Sequence, residues 1–210
     1  MNLSDMRTLV RRDLHDEDSE NYRWTDDELD RHIAHAVREF SGHLPYEQKE
    51  TQSTVSGSRE LDISGISGRV SLDAVEYPAG RFPASYQPFS MWGDVITLLG
   101  NEVPDGSDAC IYYGKLHTLD GSGSTIPDRF EDLVIAGACG YAAVEWAIYA
   151  VNRVNVGGAD VAAEFLGWGN GKLKIFRDEL RRLGRRNRVR TASLYRPALP
   201  AVSKSTDFGP

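Results

Sequence analysis

From Leu133 to Val151 the only charged side chain is Glu145. Phe130, Leu133, Val134, Ala138, Tyr141, Glu145 and Ile148 recur there at helical spacing. A helix apolar on every face must be buried on every face or lie in a membrane. Ala136 to Gly140, Ala142 and Ala143 are small residues that add little hydrophobicity, and a mid-helix carboxylate opposes insertion. The run therefore reads as a buried helix of a soluble protein whose small residues let other backbones come close. A chain of 210 residues offers few elements to cover such a helix completely, so part of its surface is expected to meet neighbouring copies. Glu145 then needs an arginine or a hydrogen-bond donor, because an unpaired buried charge is costly.

The segment leading into this helix has its own pattern. Ala109, Ile111 and Tyr113 alternate with Cys110, Tyr112 and Gly114, which reads as a strand. Asp120 to Ser124 is a glycine-serine turn. Thr125 is placed to cap the helix, with Pro127 in its first turn and Asp128 near the positive end of its dipole.

Upstream, Ser4 reads as the cap of a first helix carrying Met6, Leu9, Val10 and Leu14 on one stripe. A polar loop, His15 to Asn21, follows. Trp24-Thr25-Asp26-Asp27-Glu28-Leu29 is the clearest local signal: a capping box between Thr25 and Glu28, and a hydrophobic staple between Trp24 and Leu29. The second helix should run to about Ser41, with Leu29, Ile33, Ala36, Val37 and Phe40 inward and Gly42 ending it. From about Thr51 to Leu116 the period changes to that of strands, in Val70 to Ala74 and Asp94 to Leu99, punctuated by Gly, Pro and Ser. Arg81 to Trp92, rich in proline and aromatics, reads as irregular and exposed. After a break at Asn152 to Gly158, Ala159 to Gly184 is helical, with Val161, Phe165, Trp168, Leu173, Phe176, Leu180 and Leu183 on its apolar positions. Gly167, Gly169 and Gly171 predict a kink or two helices there. Leu194 to Pro210, with three prolines, reads as an extended arm.

The expected fold class is α+β: a mainly helical bundle with an inserted small antiparallel β-sheet. The bundle comprises an N-terminal helical pair, the long apolar helix and an Arg-rich last helix. The expected domains are a helical hairpin over 1–50, a β insertion over 51–118, helices completing the bundle over 119–190, and the arm over 191–210.

Charge is unevenly spread. Ten Lys and Arg lie between Lys172 and Arg196 against Asp178 and Glu179, a net +8, while Lys204 and Asp207 balance beyond it. The whole chain carries −7, so residues up to 171 carry −15. An acidic body with a basic end can dock head to tail on copies of itself, or place its basic end on an acidic partner. Cys110 and Cys139 fall in a strand and a buried helix, and read as core residues of a reducing compartment. Met1 to Leu14 carries charges throughout and lacks the apolar stretch of a signal peptide.

No catalytic, metal or cofactor site is expected. Gly171-Lys172 lacks the earlier glycine and the following Ser or Thr of a phosphate loop, having Leu166 and Leu173 there. Glu28, His32 and His35 share a helix face, but no further ligand is indicated for a metal. Asp120 to Ser124 lacks the carboxylate spacing of a calcium loop. His117 and Asp120 flank a glycine loop without a nucleophile partner. The arginines from Arg177 to Arg190 could meet DNA phosphates, although no base-reading motif with interleaved aromatics accompanies them.

The order of parts resembles the head–tail connector, or adaptor, proteins of tailed bacteriophages. The residues that carry the resemblance are the Trp24 to Leu29 helix start, Tyr112-Tyr113-Gly114-Lys115-Leu116-His117, Ile126-Pro127-Asp128-Arg129-Phe130-Glu131 with the Ala/Gly-rich helix after it, and the Arg-rich last helix with its tail. Together they span Met1 to Phe40 and Ala109 to Arg190. The resemblance implies a structural virion protein in the neck, assembled in the host cytoplasm. It implies a ring, usually dodecameric, beneath the portal protein. Such a ring extends the channel for genomic DNA without reading its sequence, and offers a surface to the tail or a tail-completion (terminator) protein. It implies portal contact by the C-terminal segment, here Arg185, Arg186, Arg188, Arg190, Tyr195 and Arg196. Trp24, Thr25, Glu28 and Leu29 are then the structural cap of the hairpin. Phe130, Val134, Tyr141, Glu145 and Ile148 belong to the core and oligomer helix. The other reading is a DNA-binding regulator using the N-terminal helical pair and the basic last helix.

Overall fold

The structure, a computed structural model, describes residues 1–150 and 160–192, with side chains of the last helix as far as Arg188. It is an α+β fold of four helices and two small antiparallel sheets. The described residues form two compact units: Met1–Tyr46 with Lys115–Arg185, and Glu47–Gly114 with the last turns of the final helix from Arg186.

The first unit is helical. α1 spans Leu3–Asp13, and its N-cap is Asn2 instead of Ser4. Asn2 and Asp5 exchange reciprocal hydrogen bonds, so the box forms two residues earlier than the serine suggests. Ser4 instead sits inside the first turn, its carbonyl accepting from Thr8 Oγ1. α2 spans Asp26–His43 and is capped by Thr25, whose Oγ1 accepts from the Glu28 amide while Glu28 accepts from the Thr25 amide. The helix passes through Gly42, and Leu44 is its C-cap. A Cβ on Gly42 would meet nothing within 4 Å, and one glycine costs only about 1 kcal/mol in a helix.

Between α1 and α2 the polar loop is held by a buried ion pair. Arg11, 6% exposed, reaches Asp16 at 2.6 Å, the Trp24 carbonyl at 3.0 Å and Asp26 at 2.7 Å. Asp16 in turn accepts from the Arg23 amide at 2.7 Å. The guanidinium thus satisfies a buried carboxylate and a carbonyl in one fork, which is the geometry that makes a buried charge tolerable.

α3 spans Glu131–Ala150. It is preceded by a 3-10 turn, Asp128–Phe130, that starts at Pro127 with no side-chain cap. Thr125 caps nothing: its hydroxyl receives the Thr118 amide and lies 3.0 Å from His117 Nδ1. By length and composition Asp128–Ala150 would suffice to cross a membrane. In the fold, Val134, Ile135, Ala138, Cys139 and Ala142 lie in one core with Met6 and Val10 of α1, Leu29, Ile33, Ala36, Val37 and Phe40 of α2, and Phe176 and Leu180 of the last helix. Each large side chain buried there contributes about 1.5–3 kcal/mol.

α4 spans Val161–Ala192 as one continuous helix and not as two. The reason lies partly in packing. A Cβ on Gly169 would meet Val144 at 3.0 Å and Ala143 at 3.1 Å, and one on Gly140 would meet Leu173 at 2.7 Å. The two helix backbones approach because both positions are glycine, and the contact offsets the propensity cost. The segment read as a break and the arm beyond Ala192 lie outside the described residues.

The second unit is β. β1 (Tyr46–Ser53), β6 (Asp108–Lys115) and β3 (Arg69–Glu76) form one sheet in that order. β2 (Glu60–Asp62), β5 (Val95–Leu98) and β4 (Phe89–Trp92) form the other. β4 lies inside the stretch expected to be irregular. It pairs with β5 from Phe89↔Leu98 to Trp92↔Val95, closed by a two-residue turn with Gly93 at φ +60. Leu61, Ile63, Ile96, Leu98, Val75, Ile111 and Tyr113 make a single core.

Candidate functional site

The polar groups of the helical unit gather along the seam of α2, α3 and α4. Tyr141 meets Glu39 and His35, and Glu145 meets Arg31 and His32, so α2 and α3 run antiparallel. The Tyr141 hydroxyl donates to Glu39. Arg177 of α4 donates to Glu39 at 3.1 Å and to the Tyr141 oxygen at 3.2 Å. The His35 ring stacks on Tyr141 at 4.0 Å. One arginine thereby ties three helices. The Tyr141 hydrogen bond to Arg177 raises that guanidinium's pKa, and burial raises the Tyr141 phenol.

Glu145 finds its partners within its own chain. Arg31 pairs with it, and His32 Nε2 lies 2.5 Å from its second oxygen. Burial pushes His32 below the usual imidazole range, against the pull of Glu145. Burial pushes Glu145 up, but Arg31 and His32 together hold it below the usual carboxylate range.

The metal-like trio on α2 is dispersed. Glu28 bonds to Thr25, His32 faces Glu145, and His35 stacks on Tyr141. No group of three or more His, Cys, Asp or Glu could hold a metal ion among the described residues. His117 is buried between the Leu44 carbonyl and Thr125, each at 3.0 Å, and burial lowers its pKa. Asp120 accepts from Ser122 and Gly123, closing its own turn. Both line a cleft of about 500 Å³ with Leu3, Asp30, Ile33 and Val37. The two cysteines are free and buried, and burial pushes the Cys139 thiol up to about 12.

The remaining singled-out residues fall into two groups. Trp24 and Leu29 share the helical core, as Val134 does, and Phe130 packs on its edge. Tyr141 and Glu145 lie on the seam, and Ile148 is 68% exposed. Arg185, Arg186 and Arg188 are exposed. The Arg190 side chain, Tyr195 and Arg196 lie outside the described residues.

Two groups of exposed apolar side chains stand out, the second of them in the stretch Arg81 to Trp92 that the sequence marks as exposed. On α4, Trp168 and Ile175 stand on the face away from Leu173, Phe176 and Leu180, with Ile175 65% exposed. In the β unit, Phe82 is fully exposed and Trp92, at the β4–β5 turn, is 91% exposed. A helical wheel of α4 could have found the first. The second was expected from the proline and aromatic content of Arg81 to Trp92.

The described surface thus carries both exposed arginines and exposed apolar side chains. The chain matches the family described as SU10 adaptor protein over residues 1–197, and it belongs to that family, whose members are structural phage adaptors and not a class of enzymes. A search of curated proteins finds no match.

Proposed function

We propose that this chain forms a ring beneath the portal protein of a tailed phage, at the head–tail junction of the virion. The ring extends the DNA channel and presents the surface on which the tail or a tail-completion protein attaches. The match to the adaptor family over residues 1–197 carries this reading. The separation of charge supports it: an acidic body suits a channel through which DNA slides without sticking, and a basic end suits docking. A dodecamer is the expected copy number, and assembly takes place in the host cytoplasm. The working division of labour keeps the hairpin 1–50, the β insertion 51–118, the helices 119–190 and the arm 191–210.

In this reading the C-terminal segment contacts the portal, with Arg185, Arg186, Arg188, Arg190, Tyr195 and Arg196 as the contact residues. Deleting Leu194 to Pro210 should leave the fold intact and weaken attachment to the portal in a pull-down. Unchanged attachment would remove the arm from the mechanism. The exposed arginines of α4 favour one second reading, a DNA-binding regulator. It requires a duplex affinity that falls steeply with salt, which a titration at two ionic strengths would detect.

A further inference from the structure

We propose that the outer edge of β4 is a docking site for an extended, uncharged segment of another protein, which adds to the sheet as a strand. The inference rests on the ring reading and names, on each copy, a place where the tail or a tail-completion protein attaches.

The alternation of the ladder decides which backbone groups of β4 are open. The Leu98 amide donates to the Arg59 carbonyl at 2.9 Å, and the Asp94 carbonyl accepts from the Ile63 amide at 2.8 Å, so the even-numbered residues there bond toward β2. The odd-numbered ones bond toward β4, as the Leu99 amide does to the Pro88 carbonyl at 2.8 Å. Val95 stands opposite Trp92 and Thr97 opposite Ser90, which turns the N–H and C=O of Met91 away from β5. Among the described residues neither group has a hydrogen-bond partner. Just upstream the same side of the chain is bonded to β3, where the Gln87 amide donates to the Val75 carbonyl and the Ser85 carbonyl accepts from the Tyr77 amide. That pairing stops before β4 begins.

The side chains suit an apolar strand. Phe89 packs on the β core, so Phe89 and Met91 share the inner face, and Ser90 and Trp92 the outer one. Met91 is 49% exposed and Trp92 91%. No charged residue stands between Tyr86 and Gly93, and Asp94 in the turn is held by Arg69 at 2.8 Å. Sheet edges are ordinarily blunted by charge or by cover. β2, the other edge of this sheet, has both. Glu60 and Asp62 are exposed there, the outward Glu60 amide donates to Ser58 Oγ at 3.1 Å, and the outward Asp62 carbonyl accepts from Gln52 Nε2 at 2.9 Å.

The described strands of a second copy do not match this edge. Two β4 edges would pair about a two-fold axis, which joins two copies and does not continue around a ring. β2 is closed by Ser58 and Gln52, the end of β3 is taken by Ser85 and Gln87, and β1 would bring Glu47, Lys49 and Glu50 to an edge that has no charge to meet them. A strand from a different protein, uncharged where it lies beside Met91 and Trp92, fits what is open. The ladder gives it affinity, and the Trp92 ring gives it a surface to pack on.

Hydrogen exchange of the full chain on the portal protein, with and without the purified tail proteins of the same phage, tests this. The Met91 amide should exchange freely before the tail proteins are added and about tenfold more slowly afterwards, while Ser90 and Trp92, already bonded to β5, change less. Met91→Pro removes an N–H that β5 does not use, and Met91→Lys keeps the N–H but charges the edge. Each should leave the melting temperature and the number of copies on the portal unchanged and weaken tail-protein binding about tenfold. Protection of Met91 before the tail proteins are added would give the edge to the arm or to a second copy and overturn the proposal. So would full tail-protein binding by both variants, tail proteins that bind without slowing Met91, or loss of the ring with a folded variant. Absence of any ring on the portal, with tail proteins still protecting Met91 in the free chain, would remove the ring reading and leave the edge.

Discussion

The two halves of α3 have similar composition and different surroundings. Up to Ala143 the helix is sealed: Val134, Ala138, Cys139, Ala142 and Ala143 have essentially no exposure, and α1, α2 and α4 supply the cover. From Val144 on, the polar seam takes over at Glu145, and Ile148 is 68% exposed. Apolarity all round a helix states a need for cover without stating who meets it. In this chain its own helices meet it for the first half, and among the described residues the second half leaves Ile148 68% exposed beside the charged seam.

The largest break in this contrast comes from Phe176→Ala. The ring is fully buried and lies where a Cβ on Gly137 would be, at 2.9 Å. Its removal should cost about 3–5 kcal/mol, seen as a lower urea midpoint at unchanged slope. Gly140→Ala comes next. The new methyl meets Leu173 at 2.7 Å and the Gly169 carbonyl at 3.1 Å, and such overpacking costs about 1–3 kcal/mol, partly offset by better helix propensity. Gly171→Ala sharpens the contrast from the other side. Nothing lies within reach of its Cβ, so thermal unfolding should shift upward by the equivalent of about 1 kcal/mol or less.

The seam between the halves should be pH-sensitive. Burial lowers the pKa of His32 and of His117 in the folded state. Neutral histidine therefore contributes stability that is fully present above about pH 6.5 and is lost as pH falls through the depressed folded values. Urea midpoints measured at pH 7.5 and pH 5.5 should drop toward acid, and His32→Gln should flatten that drop. The smallest effect belongs to the second half of α3. Ile148→Ser should change stability by no more than about 0.5 kcal/mol, a result a melting curve of the isolated chain would check.

The contrast also marks what the residues reveal in advance. The start of α2 was legible because the capping box is local: Thr25 and Glu28 need only each other. The apolar positions of α1, α2 and α3 were legible from their period. Positions decided by neighbours were not. Asn2 displaces Ser4 because Asp5 stands three residues after it. Thr125 is taken by His117 and Thr118 instead of a helix end. α4 stays whole because Gly169 meets Gly140 on another helix, which no window of α4 contains. β4 was hidden by the prolines before it, since the register that makes it a strand is set by β5. For the candidate site, Glu145 announced its need for a partner, but Arg31 and His32 are more than a hundred positions away. The exposure of Ile175 on α4 was illegible for the same reason, whereas that of Phe82 and Trp92 was legible in their proline- and aromatic-rich stretch.

The central claim is that this adaptor assembles as a ring on a portal. The most direct measurement is native mass spectrometry of the purified chain, alone and mixed with the portal protein of its phage. A ring-sized number of copies bound to the portal is the predicted result, even if the free chain is a monomer. No bound copies at any salt concentration would contradict it and turn attention to duplex DNA.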